Sequence, residues 1–232
     1  MTRLFLYVEG QTEESFVKEV LAPHLYYYGY TEVVPRPTGA IRPWPSAKRN
    51  IVRFLKQDVG RVVSTMVDFY GLPQSGSGSW PGRKNANTAH YLEKARTVEK
   101  ELLADVCLEI GENFYPSRFI PYVMMHEFEA MLFSDCAAFS RGIGRPTLAN
   151  QFQTIRNAFA SPEEIDDSPL SAPSKRAEKL VPGYTKPILG TLEVFEIGLE
   201  TIRRECPHFG CWLDRWEAVP TASSGQSATD LQ

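Results

Sequence analysis

Arg3-Leu4-Phe5-Leu6-Tyr7-Val8-Glu9-Gly10-Gln11-Thr12-Glu13-Glu14 is the stretch from which the rest of the chain can be read. Leu4 to Val8 is a continuous apolar run closed by a carboxylate and a glycine, the pattern of a buried strand. Thr12 can cap the helix that follows, and Glu13 and Glu14 stand in its first turn, where the helix dipole favours negative charge. Phe16, Val17, Val20, Leu21 and Leu25 then recur at helical spacing, and Gly29 is the stop. Glu9 is thereby placed at the carboxyl end of a strand beside a helix N-terminus, the edge at which open α/β sheets bind ligands.

The same pattern returns twice. Thr31 to Val34 reads as a short second strand and Ser46 to Gln57 as a helix. Arg61 to Val67, rich in β-branched residues, is a strand that ends in Asp68. Gln74 to Gly82 is glycine- and serine-rich and reads as mobile. Thr88 to Leu108 reads as a long amphipathic helix. Phe119 to Met125 is a strand interrupted by Pro121, which predicts an irregular start or an edge position. It leads into His126-Glu127-Phe128-Glu129. If that segment is extended, Glu127 and Glu129 share a face; if it is helical they oppose each other, and His126 shares a face with Glu129. Helices are expected over Gln151–Phe159, from Ala172 onward and over Ile188–Arg204, with aromatics at Phe209–Trp216 closing the core. Strands alternating with helices predict an α/β fold: a mostly parallel sheet flanked by helices, with a helical C-terminal elaboration from about residue 88. The expected organisation is one domain over residues 1–219 and a polar, disordered tail over 220–232.

The totals agree with a folded enzyme-sized domain. The chain has 232 residues, 43% of them hydrophobic, which argues against wholesale disorder. A net charge of −3 excludes a globally basic nucleic-acid binder but leaves room for a local patch. Such a patch exists in sequence. Arg36, Arg42, Lys48, Arg49 and Arg53 occur with no acid between Glu32 and Asp58, and Trp44 lies among them. This reads either as a phosphate-backbone track with one stacking ring or as a solvated loop and helix face. Cys107, Cys136, Cys206 and Cys211 contain no C-x-x-C pair, so a disulfide framework or zinc ribbon is not expected. No run reaches the length of a membrane span, and no signal-like apolar segment opens the chain, which predicts a reduced, cytoplasmic setting without a membrane partner.

Glu9, Asp68 and the Glu127/Glu129 pair end three apolar strands, and parallel strands bring their carboxyl ends to one edge. Gathered carboxylates repel, and a hard divalent cation relieves that repulsion. Magnesium takes few protein carboxylates and several waters, which leaves positions for phosphate oxygens. It can polarise a phosphodiester and activate water. In this reading Glu9, Asp68, Glu127 and Glu129 are metal-ligand candidates. His126 is a ligand, a proton-transfer group or a scaffold. Lys175 or Arg176 can stabilise charge on a transferring phosphate. A single strand-end acid is more often a cap or turn residue; three of them are the argument.

Val8-Glu9-Gly10-Gln11-Thr12-Glu13 resembles the first motif of TOPRIM domains, the fold shared by topoisomerases, DnaG-type primases and OLD-family nucleases. Taken together with Met66-Val67-Asp68-Phe69-Tyr70-Gly71-Leu72-Pro73, His126-Glu127-Phe128-Glu129-Ala130-Met131-Leu132-Phe133 and Ala172-Pro173-Ser174-Lys175-Arg176, it is similar to a bacterial family of unknown function placed with the TOPRIM-like proteins. The resemblance implies a Mg²⁺- or Mn²⁺-dependent nuclease acting on DNA or RNA. Glu9 would be acid/base or ligand, Asp68 would be a ligand, and Lys175 resembles in type the later lysine of OLD-type sites. One departure matters: TOPRIM domains usually carry Asp-x-Asp at the second motif, and this chain has Asp68-Phe69-Tyr70. Glu127 or Glu129 would supply the missing carboxylate. The alternative is a catalytically degenerate interaction or nucleic-acid-binding module. Related proteins often work beside an ATPase in bacterial defence; with no P-loop motif here, the ATPase partner would be a separate protein.

Overall fold

Parallel pairing of short apolar strands builds the centre of the molecule. The computed structural model describes residues 1–86, 90–125, 127–165, 172–184 and 194–224. Its sheet has five strands: β1 (Thr2–Val8), β2 (Tyr30–Pro37), β3 (Arg61–Asp68), β4 (Phe119–Ile120) and β5 (Val123–Met124). The order is β2-β1-β3-β4, with β5 also on β3, and every pair is parallel. The break between β4 and β5 falls at Pro121, which cannot donate to a ladder. Thr65 bridges it: its hydroxyl donates to the Tyr122 carbonyl at 2.9 Å and accepts from the Tyr122 amide at 3.0 Å.

Alternation along the strands sends side chains to two faces, and each face has its own core. Leu4, Leu6, Val8, Val62 and Met66 pack under α1 (Gln11–Phe16) and α2 (Ala22–Tyr27), which a wider helical turn at Val17–Leu21 joins, and under the C-terminal helices. Phe5, Tyr7, Val63 and Val67 pack under α3 (Trp44–Gln57) and α4 (Tyr91–Ile110). The C-terminal region is helical: α5 (Phe128–Leu132), α6 (Cys136–Gly142), α7 (Ala149–Arg156), α8 (Pro173–Leu180), α9 (Leu199–Glu205) and α10 (Pro207–Ser224). This is the expected α/β fold. Phe209, Trp212 and Trp216 are buried in the first core, as their clustering predicts.

Four local expectations change. Gly10, not Thr12, is the N-cap of α1. The second strand does not stop at Val34 but runs on through Pro35 and Pro37; β2 is the sheet's edge, where a proline costs no ladder bond on its open side. The Gln74–Gly82 segment is anchored: Trp80 is buried, its amide donates to the Pro73 carbonyl at 2.9 Å, and its indole to the Arg42 carbonyl at 3.0 Å. Gly198, at φ 82°, separates α9 from the residues before it. The first part of the expected Ile188–Arg204 helix lies outside the described residues. So does most of the expected tail, although α10 reaches Ser224. All four cysteines are free thiols. Among the described residues, no helix is long and apolar enough to cross a membrane.

Candidate functional site

The carboxyl edge of the sheet collects the acids that the strands end on. Val8 is paired with Met66, so Glu9 and Asp68 leave neighbouring strands in the same direction. Asp68 is itself paired with Met124 of β5, and the Phe69 amide donates to the Met124 carbonyl at 2.9 Å. The chain then bends. Glu127 is extended and serves as N-cap of α5, and Glu129 lies in the first turn of that helix. That bend resolves the geometry left open in sequence, because neither a pure strand nor a pure helix is present.

Asp68 is the electrostatic centre of this edge. The residue is half-buried, but its Oδ1 is sealed from solvent and has no hydrogen-bond partner. Burial lifts its carboxyl well above the usual carboxylate range, and the charges of Glu13, Glu9, Glu129 and Glu127 push it further in the same direction. A proton or a cation at this edge is therefore favoured, and the charged form of Asp68 is held against its surroundings. The structure thus brings together four of the acids read from sequence, Glu9, Asp68, Glu127 and Glu129, and adds Glu13. Glu13 is buried and its carboxylate accepts the Gly10 amide at 3.0 Å, which ties the turn after β1 to the helix below it. In sequence it is legible only as a first-turn acid of the helix after β1.

One acid of the cluster is fixed by α8. Glu127 accepts the Ser174 amide at 3.0 Å, so the N-terminus of α8 rests on this carboxylate. Glu129 is 2% exposed. His126 lies outside the described residues. Lys175 has a different place from the one expected. Its side chain is exposed and its ammonium pairs with Glu178 at 2.7 Å, so what this end of α8 gives the site is the Ser174 backbone amide.

Two cations that sequence reasoning did not single out hold the turn after Asp68. Arg83 is 1% exposed; its Nε donates to the Phe69 carbonyl at 2.8 Å and its guanidinium stands 3.8 Å over the Phe69 ring. The Lys94 ammonium donates to the Tyr70 hydroxyl at 3.1 Å. Tyr70, two residues after Asp68, thus presents an aromatic hydroxyl with a lysine on it. No local motif marks either cation, since Arg83 follows a glycine-rich segment and Lys94 sits within a helix of alternating charge.

The basic stretch divides. Trp44 is not available for stacking on a ligand: it is buried, packs on Trp80 with centroids 5.0 Å apart, and donates its indole to Asp105 at 2.6 Å. Lys48 pairs with Asp105 at 3.1 Å and Glu109 at 3.4 Å. Arg42 donates to the Thr38 carbonyl at 2.9 Å. Arg36 and Arg49 are exposed.

Among the described residues, the acids gathered at the carboxyl edge offer carboxylate oxygens, the chemistry of a hard divalent cation and not of a soft one. Among the described residues, no group of three or more His, Cys, Asp or Glu side chains is arranged to hold a metal ion by itself. Any ion at this edge would therefore rely on water for several of its positions, as Mg²⁺ commonly does.

A family model described as a domain of unknown function (DUF4276) matches residues 8–217. The chain belongs to this family. The DUF4276 match spans Glu9, Asp68, Glu127 and Glu129. No curated protein matches the chain. One solved structure is similar: the C-terminal region of the Xanthomonas campestris pv. campestris OLD protein, at 14% identity over 97% of this chain and 98% of that one, with a TM-score of 0.44.

Proposed function

We propose that this DUF4276 protein is a TOPRIM-like, Mg²⁺- or Mn²⁺-dependent phosphodiester-cleaving enzyme, a nuclease acting on DNA or RNA at the carboxyl edge of its sheet. The observation that carries this reading is Asp68: a strand-end acid with a sealed, unpartnered oxygen and with the four acids Glu13, Glu9, Glu129 and Glu127 around it. Repulsion of that kind costs stability, and a divalent cation offsets it. Glu9 and Asp68 would hold the ion, with Glu127 and Glu129 acting through bound water or as the replacement for the Asp absent at position 70. When bound, the cation supplies polarisation of the phosphodiester and a more acidic water. Glu9 would hold the ion or act as the general acid or base there. Arg83 and Lys94 keep the Asp68–Tyr70 turn in place.

The test is cleavage of supercoiled plasmid, linear duplex and single-stranded RNA with Mg²⁺ or Mn²⁺ against EDTA. Wild-type protein is expected to cut at least one of them, and Glu9→Gln and Asp68→Asn to cut none. Absence of cleavage by wild type on all three would refute the nuclease. The position of Tyr70, with its hydroxyl bound by Lys94, favours a second reading, an interaction module that keeps the fold without the chemistry. Calorimetry separates the two: this second reading requires that neither Mg²⁺ nor Mn²⁺ binds.

A further inference from the structure

Three arginines that are far apart in sequence surround one pair of rings on the flank of β2. Phe5 of β1 and Phe54 of α3 pack as a tilted pair with centroids 5.2 Å apart. The Arg36 guanidinium lies 5.2 Å from the Phe5 ring and 5.9 Å from Phe54. Arg53 stands 5.2 Å from Phe54, and Arg61 stands 4.1 Å from Phe5. Helix α3 covers β3 and reaches α4, but β2 is the sheet edge, so Arg36 stays exposed, as does Arg53.

What distinguishes the two exposed arginines of this cluster is the lack of a pairing acid. Arg36 and Arg53 make no ion pair and no side-chain hydrogen bond among the described residues, whereas Lys48, on the α4 side of the same helix, is paired twice. Burial, Arg3 and Arg36 all push the Arg61 guanidinium down from its ordinary value, and Glu32 opposes them. Gathered cations repel one another; the cation–π contacts hold the flat faces of Arg36 and Arg53 and leave their N–H edges open, while Arg61, whose Nε is buried and which donates to Gln57 at 3.0 Å, adds its charge from behind. A guanidinium presented edge-on is suited to two-point contact with phosphate oxygens.

The flank also leads to the carboxylates. Arg36 is paired in register with Tyr7, and the Thr38 amide donates to the Val8 carbonyl at 3.1 Å. Arg36 thus stands about 7 Å along the strand direction from the level at which Glu9 emerges. The positive charge of Arg42, in the loop after β2, is felt at the Tyr7 hydroxyl.

We infer that Arg36, Arg53 and Arg61, gathered on the Phe5–Phe54 pair, form the docking surface for the phosphodiester backbone of a nucleic-acid strand. That the docked strand continues to the Glu9–Asp68 edge rests on the nuclease reading; the docking itself does not. The experiment measures binding of labelled 30-nucleotide single- and double-stranded DNA and RNA by fluorescence anisotropy, in EDTA, with Asp68→Asn protein so that cleavage plays no part. The double variant Arg36→Gln/Arg53→Gln, at two exposed positions, is expected to bind about tenfold or more weakly at low salt and to lose about 1.4–1.8 from the slope of log K against log salt. Arg36→Lys/Arg53→Lys is expected to keep the slope but bind more weakly, and Lys48→Gln to change affinity less than about twofold. Unchanged thermal melting confirms that the variants are folded. Flank-dependent binding by a wild-type protein that cuts nothing supports the docking surface and overturns the nuclease. Binding indifferent to both arginines, no binding of any oligonucleotide, or flank-dependent binding to anionic lipid vesicles alone overturns the docking surface.

Discussion

Two groups of buried acids lie in this molecule, and they are built in opposite ways. Behind the sheet, Glu163 accepts the His208 amide at 2.9 Å and the Phe209 amide at 3.0 Å, and so closes the N-terminus of α10. Next to it, Glu99 takes the His208 ring nitrogen and the Val123 amide, both at 2.8 Å. At the carboxyl edge, Asp68 has a sealed oxygen without a partner, and the charges of Glu13, Glu9, Glu129 and Glu127 lift its carboxyl beyond what burial does. The first group satisfies its charges with donors and serves the fold. In the second, Glu13 and Glu127 accept backbone amides, but Asp68 keeps a sealed oxygen that no donor meets. Buried acid alone therefore says little about function; whether donors meet it is the informative difference.

The sharpest way to break this comparison is to remove one acid from each group. Asp68→Asn is expected to lower metal-dependent cleavage about 10²–10³-fold while raising Tm by a few degrees, since an amide ends the repulsion. The sign follows from its raised carboxyl: folding binds a proton more tightly than the unfolded chain does, so stability falls as pH rises above the ordinary Asp value. A lower Tm for Asp68→Asn would make Asp68 a structural acid. Glu163→Ala should do the reverse, removing about 2–3 kcal/mol of stability, roughly 5–10 °C, with cleavage by the remaining folded protein unchanged. If Glu163→Ala abolished cleavage at a temperature where it is folded, the two groups would not be separate.

Smaller effects sharpen the same contrast. Mg²⁺ at tenfold its Kd is expected to stabilise wild type by about 1.4 kcal/mol and Asp68→Asn far less, read as a shift in Tm. Equal shifts in both proteins would place the ion elsewhere. The smallest effect belongs to His208. Burial pushes its imidazolium down, but the Glu99 contact and the charges of Glu99 and Glu163 outweigh this against the opposing Arg96, and the net shift is upward. A raised histidine contributes stability that is complete below about pH 6.5 and is lost as pH rises through its folded value. His208→Gln should flatten that decline, which is at most about 1.4 kcal/mol per pH unit for one proton, in denaturant melts run from pH 6 upward. A slope identical to wild type would show that His208 is not the titrating group.

Much of the fold was legible before any coordinates. Apolar runs at Leu4–Val8 and Arg61–Val67 became β1 and β3 with small changes at their ends, and Pro121 broke the third run where a proline must. The carboxylates at Glu9, Asp68, Glu127 and Glu129 were legible for the same reason: parallel strands fix which end of each strand faces the common edge. The basic stretch misled because charge in sequence carries no information about who answers it. Trp44 proved to be core, and Lys48 proved to be paired by α4.

Sequence alone determined the strand-end acids and the mostly parallel sheet flanked by helices, because these depend on residue type and short-range period. Tertiary structure decided which charges are satisfied. Glu163 meets His208 across 45 residues and Glu99 meets it across 109, while Asp68 meets no donor at its sealed oxygen. Pairing at such separations depends on where the chain returns in space, and no local pattern encodes it. That is why position 9 could be read from twelve residues, whereas the flank of Arg36, Arg53 and Arg61 appeared only when β2, α3 and β3 were laid side by side.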